Sequence, residues 1–189
     1  MSGRSGLALR PVFALYSFVM FAGTVMRLPR SPDHAIRATV SHMRRLANAA
    51  QCDPRVVMAA RLVCASVTER DLPRQIAAIN GFVRDAWSFV EDPWDVELLQ
   101  SPAESLQCLA QYGTIMGDCD DAAVLCAALG KCVGFPARYV VLAWGDPTEP
   151  YSHVYTELAN GPSWCPLDVT KPRTLTRLPR IGRFATFEV

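Results

Sequence analysis

The chain has 189 residues, half of them apolar and a fifth charged. That composition excludes wholesale disorder and fits one domain of ordinary size, with or without an extension. Nineteen basic and eighteen acidic residues leave a net charge of +1, so a general nucleic-acid binder is not expected.

The first fifty residues carry seven arginines and a single acid, Asp33. Pro11–Met26 (PVFALYSFVMFAGTVM) follows Arg4 and Arg10 and holds no charge. It falls short of the roughly 20 apolar residues that a membrane-spanning helix needs. Three readings are open for it: an apolar helix packed on the domain or a partner, a signal or membrane anchor, or an extension upstream of a start at Met26. The small-x-small pattern of a cleavage site is poor, because Phe21 is bulky.

Ser31-Pro32 predicts a helix start, with Ile36, Val40, Met43 and Ala47 at helical spacing. Asp53-Pro54 repeats the signal, with Val57, Ala60, Val63 and Val67 as its expected apolar stripe. Asp71 opens a third helix through Ile76, Ile79, Val83 and Trp87. Ser101-Pro102-Ala103-Glu104 has the form of a capping box and predicts a short helix to about Gln111. A loop over 112–118 precedes a helix that begins near Cys119 and stops before Gly134-Phe135-Pro136. The period then changes. Strands are expected over Ala137–Trp144, Ser152–Leu158 and Ser163–Asp168, with a hairpin at Asn160-Gly161. Helices followed by an antiparallel meander define an α+β class.

Seven cysteines, an odd number without a CxxC pair, argue against a secreted disulfide framework and for reduced thiols. From Asp85 to Gly130 the chain carries nine acids and no base, and from Lys171 to Arg183 five bases and no acid. The bland reading is solvated faces that balance each other. The sharper one is an acidic surface that selects basic partners.

Gly117-Asp118-Cys119-Asp120-Asp121 is the segment richest in chemistry. A helix N-terminus offers partial positive charge to a thiolate. Gly117 suits a tight turn, Asp118 a cap, and Asp121 the third position of a capping box. The same carboxylates would raise the thiol's pKa if they faced it, so a histidine must supply the counter-charge. His34 and His42 lie in the basic first helix and read as surface side chains. His153 lies on the predicted strand Ser-His-Val-Tyr, and Asp168 ends the next strand, where the two can meet. Cys119, His153 and Asp168 are then a nucleophile, a base and an orienting acid. A metal site built from Cys108, Cys119, Cys126, Cys165 and His153 lacks paired spacing and is not expected. Trp144 and Trp164 flank the proposed site as packing or as a wall that excludes water.

With GDCDDAAVLCAALGKCVGFPARYVV, SHVYTEL and WCPLDVT on the page, the chain resembles the transglutaminase-like superfamily within the wider papain-like fold. DPWDVELLQSPAESL is also similar to phage- and prophage-encoded members. The resemblance covers roughly Asp71–Thr170. It implies a Cys-bearing helix packed on an antiparallel sheet, with Cys119, His153 and Asp168 as the triad. It implies acyl transfer through a thioester, more hydrolysis than cross-linking in a chain this small, and no cofactor or metal. The Cys119 N–H is the natural first oxyanion donor, with Gln111, Tyr112 or Trp94 as candidates for the second.

The implied layout is an apolar extension over 1–30 and a domain over 31–189. That domain divides into a helical part (31–134), a β meander (135–170) and a basic tail (171–189). Expected partners are a peptide or protein substrate and, in a phage setting, structural proteins of the particle; residues 11–26 offer a contact to a membrane or partner. The expected location is the host cytoplasm or the virion. A rival reading keeps the fold as a virion-associated structural or assembly module with weak or no catalysis. Another makes it a binding domain that holds basic peptides on its acidic region.

Overall fold

A computed structural model describes residues 23–29, 31–68, 71–93, 96–170 and 181–189. Its helices are α1 (Pro32–Ala50), α2 (Pro54–Cys64), α3 (Leu72–Ala86), α4 (Pro102–Tyr112) and α5 (Cys119–Cys132). Its strands are β1 (Thr24–Met26), β2 (Trp87–Phe89), β3 (Glu97–Leu99), β4 (Ile115–Gly117), β5 (Ala137–Trp144), β6 (His153–Asn160), β7 (Ser163–Leu167) and β8 (Ile181–Glu188). The class is α+β, as the change of hydrophobic period predicts.

Each of the first four helices has proline in its opening turn, where the missing N–H costs nothing. The Asp53 carboxylate accepts from the Arg55 N–H (2.9 Å) and Asp71 from the Arg74 N–H (3.2 Å). Ser101 and Glu104 close the expected capping box: the Ser101 hydroxyl accepts from the Glu104 N–H, and the Glu104 carboxylate from the Ser101 N–H. Ser31 precedes α1 without a side-chain cap bond.

The apolar stripe of α1 is buried through Val40, Met43 and Ala47. In α2 the buried stripe is Val56, Ala60 and Cys64, rotated from the expected one, and Val57 and Val63 are its half-buried flanks. Helix α5 differs from the others: Asp120 through Gly130 are all buried. It is the central helix, packed on α1, α2, α3, α4 and β6. Gly130 permits that packing, since a Cβ there would lie 2.5 Å from a Leu158 methyl.

The main sheet has the order β7-β6-β5-β8 and is antiparallel throughout. Along β6, Val154, Thr156 and Leu158 turn to the helices, and the Thr156 hydroxyl donates to the Ala123 carbonyl of α5 (2.6 Å). The hairpin between β6 and β7 turns on Gly161-Pro162, one residue later than expected. Asn160 pairs with Ser163, and Gly161 takes φ +61°.

Two small sheets hold the approach to α5. Strand β2 pairs in parallel with β4, and β1 pairs antiparallel with β3. The sequence predicts an extension where β1 lies, a loop where β4 lies and helix through Trp87, because three-residue strands are too short for a period-2 signal; α3 instead ends at Ala86, and Trp87 opens β2. Thr24–Met26 is therefore strand, while the other residues of the 11–26 stretch lie outside the described residues except Gly23. The basic tail needs a second correction. Lys171–Arg180 lies outside the described residues, but Ile181–Glu188 is a full strand on the open side of β5. Its charge masked an alternation that turns Ala185 and Phe187 toward the core. No described helix is long and apolar enough to cross a membrane.

Candidate active site

The nucleophile candidate is set by the turn from β4 into α5. Cys119 is the first helical residue, and the Asp118 carboxylate caps the helix by accepting from the Asp120 N–H (3.2 Å). Asp121 does not complete a capping box. Its carboxylate turns away and accepts from the Gln100 backbone N–H (2.7 Å) and side-chain amide (3.0 Å). The same Gln100 amide donates to the Met116 carbonyl (2.7 Å), so one buried glutamine ties the end of β3 to β4 and α5. Gly117 is required by close approach and not by turn geometry: a Cβ there would sit 2.5 Å from an Asp121 oxygen. Nothing in the pattern around Gln100 marks it in advance, because its partner is 21 residues away.

His153 begins β6, opposite Leu142 of β5. Register places Thr156 opposite Leu167, so Asp168 follows one step past the end of β7 and reaches diagonally to the ring. His153 Nε2 lies 2.9 Å from Asp168 Oδ2, with both side chains nearly buried. Asp168 is itself held: the Thr170 hydroxyl donates to Oδ1 (3.2 Å), and the Arg84 guanidinium donates to its backbone carbonyl (2.6 Å). Trp144 stacks on the imidazole with ring centroids 5.8 Å apart, which favours the wall reading for that tryptophan. Trp164 lies instead under the Arg138 guanidinium (4.2 Å), whose charge pairs with Glu157.

Cys119 and His153 line one cleft of about 320 Å³. Its other walls are Ile36, Thr39 and Met43 of α1, the carboxylates of Glu97, Asp118 and Asp120, and the Pro150–Ser152 rim. The half-buried Cys119 opens on this space. Among the described residues the thiol makes no hydrogen bond to His153.

The electrostatics run against a resting thiolate. Burial pushes the Cys119 thiol up to about 12, and the Asp118 charge adds to the rise; the backbone amides of Val154 and Cys119 pull weakly the other way. The Asp118 carboxylate thus raises the thiol's pKa, and the helix N-terminus does not outweigh burial and that charge. Burial, followed by a side-chain hydrogen bond with Asp118 and the charge of that carboxylate, also raises Asp120 well above the carboxylate range. Burial is again the main cause that lifts Asp121 to about 7 and Asp92 to about 6.

Gln111 and Tyr112, proposed as oxyanion donors, are exposed at the end of α4 and do not line the cleft. Trp94 lies outside the described residues. Among the described residues, Cys108, Cys119, Cys126, Cys165 and His153 form no cluster that could share a metal ion. One oxygen each from Asp118, Asp120 and Asp121 lies within 4.8 Å of the others. Both oxygens of Asp121 are taken by Gln100, so this acidic group by itself assigns no metal.

Residues 59–169 match the family model of the transglutaminase-like superfamily. A solved protein from Cytophaga hutchinsonii, described as a "putative cysteine protease", aligns with 18% identity and a TM-score of 0.49, over 70% of this chain and 45% of that one. This chain therefore spans less than half the length of that protein. No curated protein matches. By the extent of the family match, more than half its length and including the Cys-bearing helix, the strand that His153 begins and Asp168, the chain belongs to the transglutaminase-like superfamily, whose enzymes work through a cysteine.

Proposed function

We propose that the protein is a cysteine-dependent acyl-transfer enzyme that hydrolyses a peptide or glutamine-type amide through a thioester. The observation that carries this reading is the shared cleft of Cys119 and His153, with His153 Nε2 already engaged by Asp168. A carboxylate can only accept, so Nε2 carries the ring proton and Nδ1 keeps the lone pair.

In the reaction His153 Nδ1 takes the thiol proton as Cys119 Sγ bonds to the amide carbon. The carbonyl electrons move onto oxygen, and the Cys119 N–H is placed to meet that charge. As the tetrahedral species collapses, the C–N bond breaks and the imidazolium returns its proton to the leaving amine. Water then attacks the thioester while His153 takes its proton, and the carboxylic acid and free thiol are released. Asp168 is a positioning residue that fixes the tautomer and steadies the imidazolium. Because the resting thiol is protonated, His153 acts as a general base at the moment of attack, once substrate has drawn sulfur and ring together. We place this activity in a phage or prophage setting, in the host cytoplasm or the virion, on the resemblance of DPWDVELLQSPAESL alone.

A second reading, a structural module with weak or no catalysis, is favoured by the high thiol pKa and the missing sulfur–imidazole bond. One experiment separates the two. Iodoacetamide alkylation of Cys119 is followed by peptide mass spectrometry from pH 5 to pH 10 in the native chain and in His153→Ala. The enzyme reading expects faster alkylation in the native chain than in the variant, because the His153 ring takes the thiol proton as sulfur attacks. Superimposable profiles favour the structural module.

A further inference from the structure

The triad reaches the cleft on two separate pieces of structure. Cys119 comes with β4 and α5, and the His153–Asp168 pair comes with the main sheet. Asp168 is the least supported of the three by secondary structure: the β6–β7 ladder ends at Thr156–Leu167, so its backbone lies beyond the last paired residue. Thr170 meets one oxygen of its carboxylate. Its backbone carbonyl is met by a side chain 84 residues upstream, the Arg84 Nη2 at 2.6 Å.

Arg84 sits in the last turn of α3. That end of the helix is a joint. Ala86 closes α3, and its carbonyl accepts from the Thr114 hydroxyl (2.9 Å). Trp87 then opens β2, which pairs in parallel with β4 from Trp87–Ile115 to Phe89–Gly117. The residues that follow β4 are Asp118 and Cys119. One short segment thus meets both halves of the triad: its backbone lies along the approach to the nucleophile, and its arginine holds the acid. Burial pushes the thiol of the fully buried Cys126 up to about 12, with Arg84 and Asp168 pulling in opposite directions, so guanidinium and carboxylate act around one core position of α5. A guanidinium stays charged, and its hydrogen bond is stronger than a neutral one.

We propose that Arg84 is a positioning residue for the acyl-transfer site: by fixing the Asp168 backbone from the end of α3, it keeps the carboxylate on His153 Nε2 and leaves the lone pair of Nδ1 to Cys119. This role rests on the acyl-transfer reading and adds to it the residue that sets the two parts of the triad against each other. Without the guanidinium the turn after β7 loosens and the bond between Nε2 and Asp168 opens more often. The proton on that nitrogen is then free to exchange with water or to move to Nδ1.

The test needs no turnover, because the His153 ring reports directly. Its signals in long-range proton–nitrogen NMR spectra of the full chain are those lost in His153→Ala, and exchange of its ring proton with water is timed at a pH where the ring is neutral. The native chain is expected to carry that proton on Nε2. In Arg84→Met it exchanges at least about tenfold faster, the loss of one charge-assisted hydrogen bond, and part of the ring shifts to the Nδ1–H form. Arg84→Lys, which can still donate to the carbonyl, returns the rate to within about threefold of native. Asp53→Ala removes the cap of α2 and so weakens the fold without touching the cleft; it leaves the rate at the native value. Where Arg84→Met does not fold, Arg84→Gln, shorter and uncharged, is read against the same expectation. An Nε2 proton that exchanges equally in native and variant chains overturns the proposal and leaves the acyl-transfer reading standing. A native ring with its proton on Nδ1 overturns both.

Discussion

Asp121 shows how one side chain couples the site to the stability of the fold. Its carboxyl titrates at about 7 in the folded chain and near 3.9 when unfolded. Between those values the folded state holds the extra proton, so stability falls as pH rises through the window and levels off above it. Asp92, lifted to about 6, has the same sign. We expect the melting temperature by calorimetry to drop by several degrees between pH 5 and pH 7.5. The drop should be smaller in Asp121→Asn, whose carbonyl can still accept from the Gln100 N–H. An equal drop in both proteins would remove Asp121 as its source. The DCDD residues were visible in the sequence as a group, but their roles were not. Capping was legible for Asp118 because it is local. The turn of Asp121 to Gln100 was not, because a contact across 21 residues leaves no spacing signal.

At the scale of elements, α5 carries the argument. Its Ala-, Leu- and Cys-rich run shows no polar face, because it is the helix at the centre of the fold. Its seat on β6 depends on Gly130 facing Leu158. We expect Gly130→Ala to cost about 1–3 kcal/mol in urea denaturation, despite the better helix propensity of alanine. Leu158→Ala in the same chain should recover part of that loss, because the two side chains compete for one space. Additive costs would show that the contact does not limit packing. Ser101→Ala removes the capping-box hydroxyl and should cost about 1 kcal/mol in the same assay. The capped starts were readable from sequence because a cap and the amide it meets lie two or three residues apart. The short strands β1 to β4 were not, since three residues pair only when a partner is brought to them.

Over the whole molecule, the sheet is closed on one side by β8, and the central position of β5 depends on it. The Val189 N–H donates to the Ala137 carbonyl (3.0 Å), and the Lys131 ammonium donates to a Val189 oxygen (2.5 Å). Deleting residues 181–189 would open β5 along its length and uncover the core that Ala185 and Phe187 help to cover. We expect that chain to elute as aggregates in size-exclusion chromatography and to lose its cooperative thermal transition. A monomer with native circular dichroism would show that β8 is dispensable.

The sequence by itself determined the α+β class, four helix starts, three of them marked by proline, the three-strand meander and the choice of Cys119, His153 and Asp168 as the side chains to watch. All of these are written in neighbouring residues: a cap beside its helix, alternation along a strand, a nucleophile at a helix start. Only the tertiary structure decided that Asp168 reaches the imidazole on a diagonal, that burial and Asp118 hold the thiol protonated, and that a basic-looking terminus is an edge strand. Those depend on register, desolvation and distant charges meeting, and none of the three exists until the chain has folded.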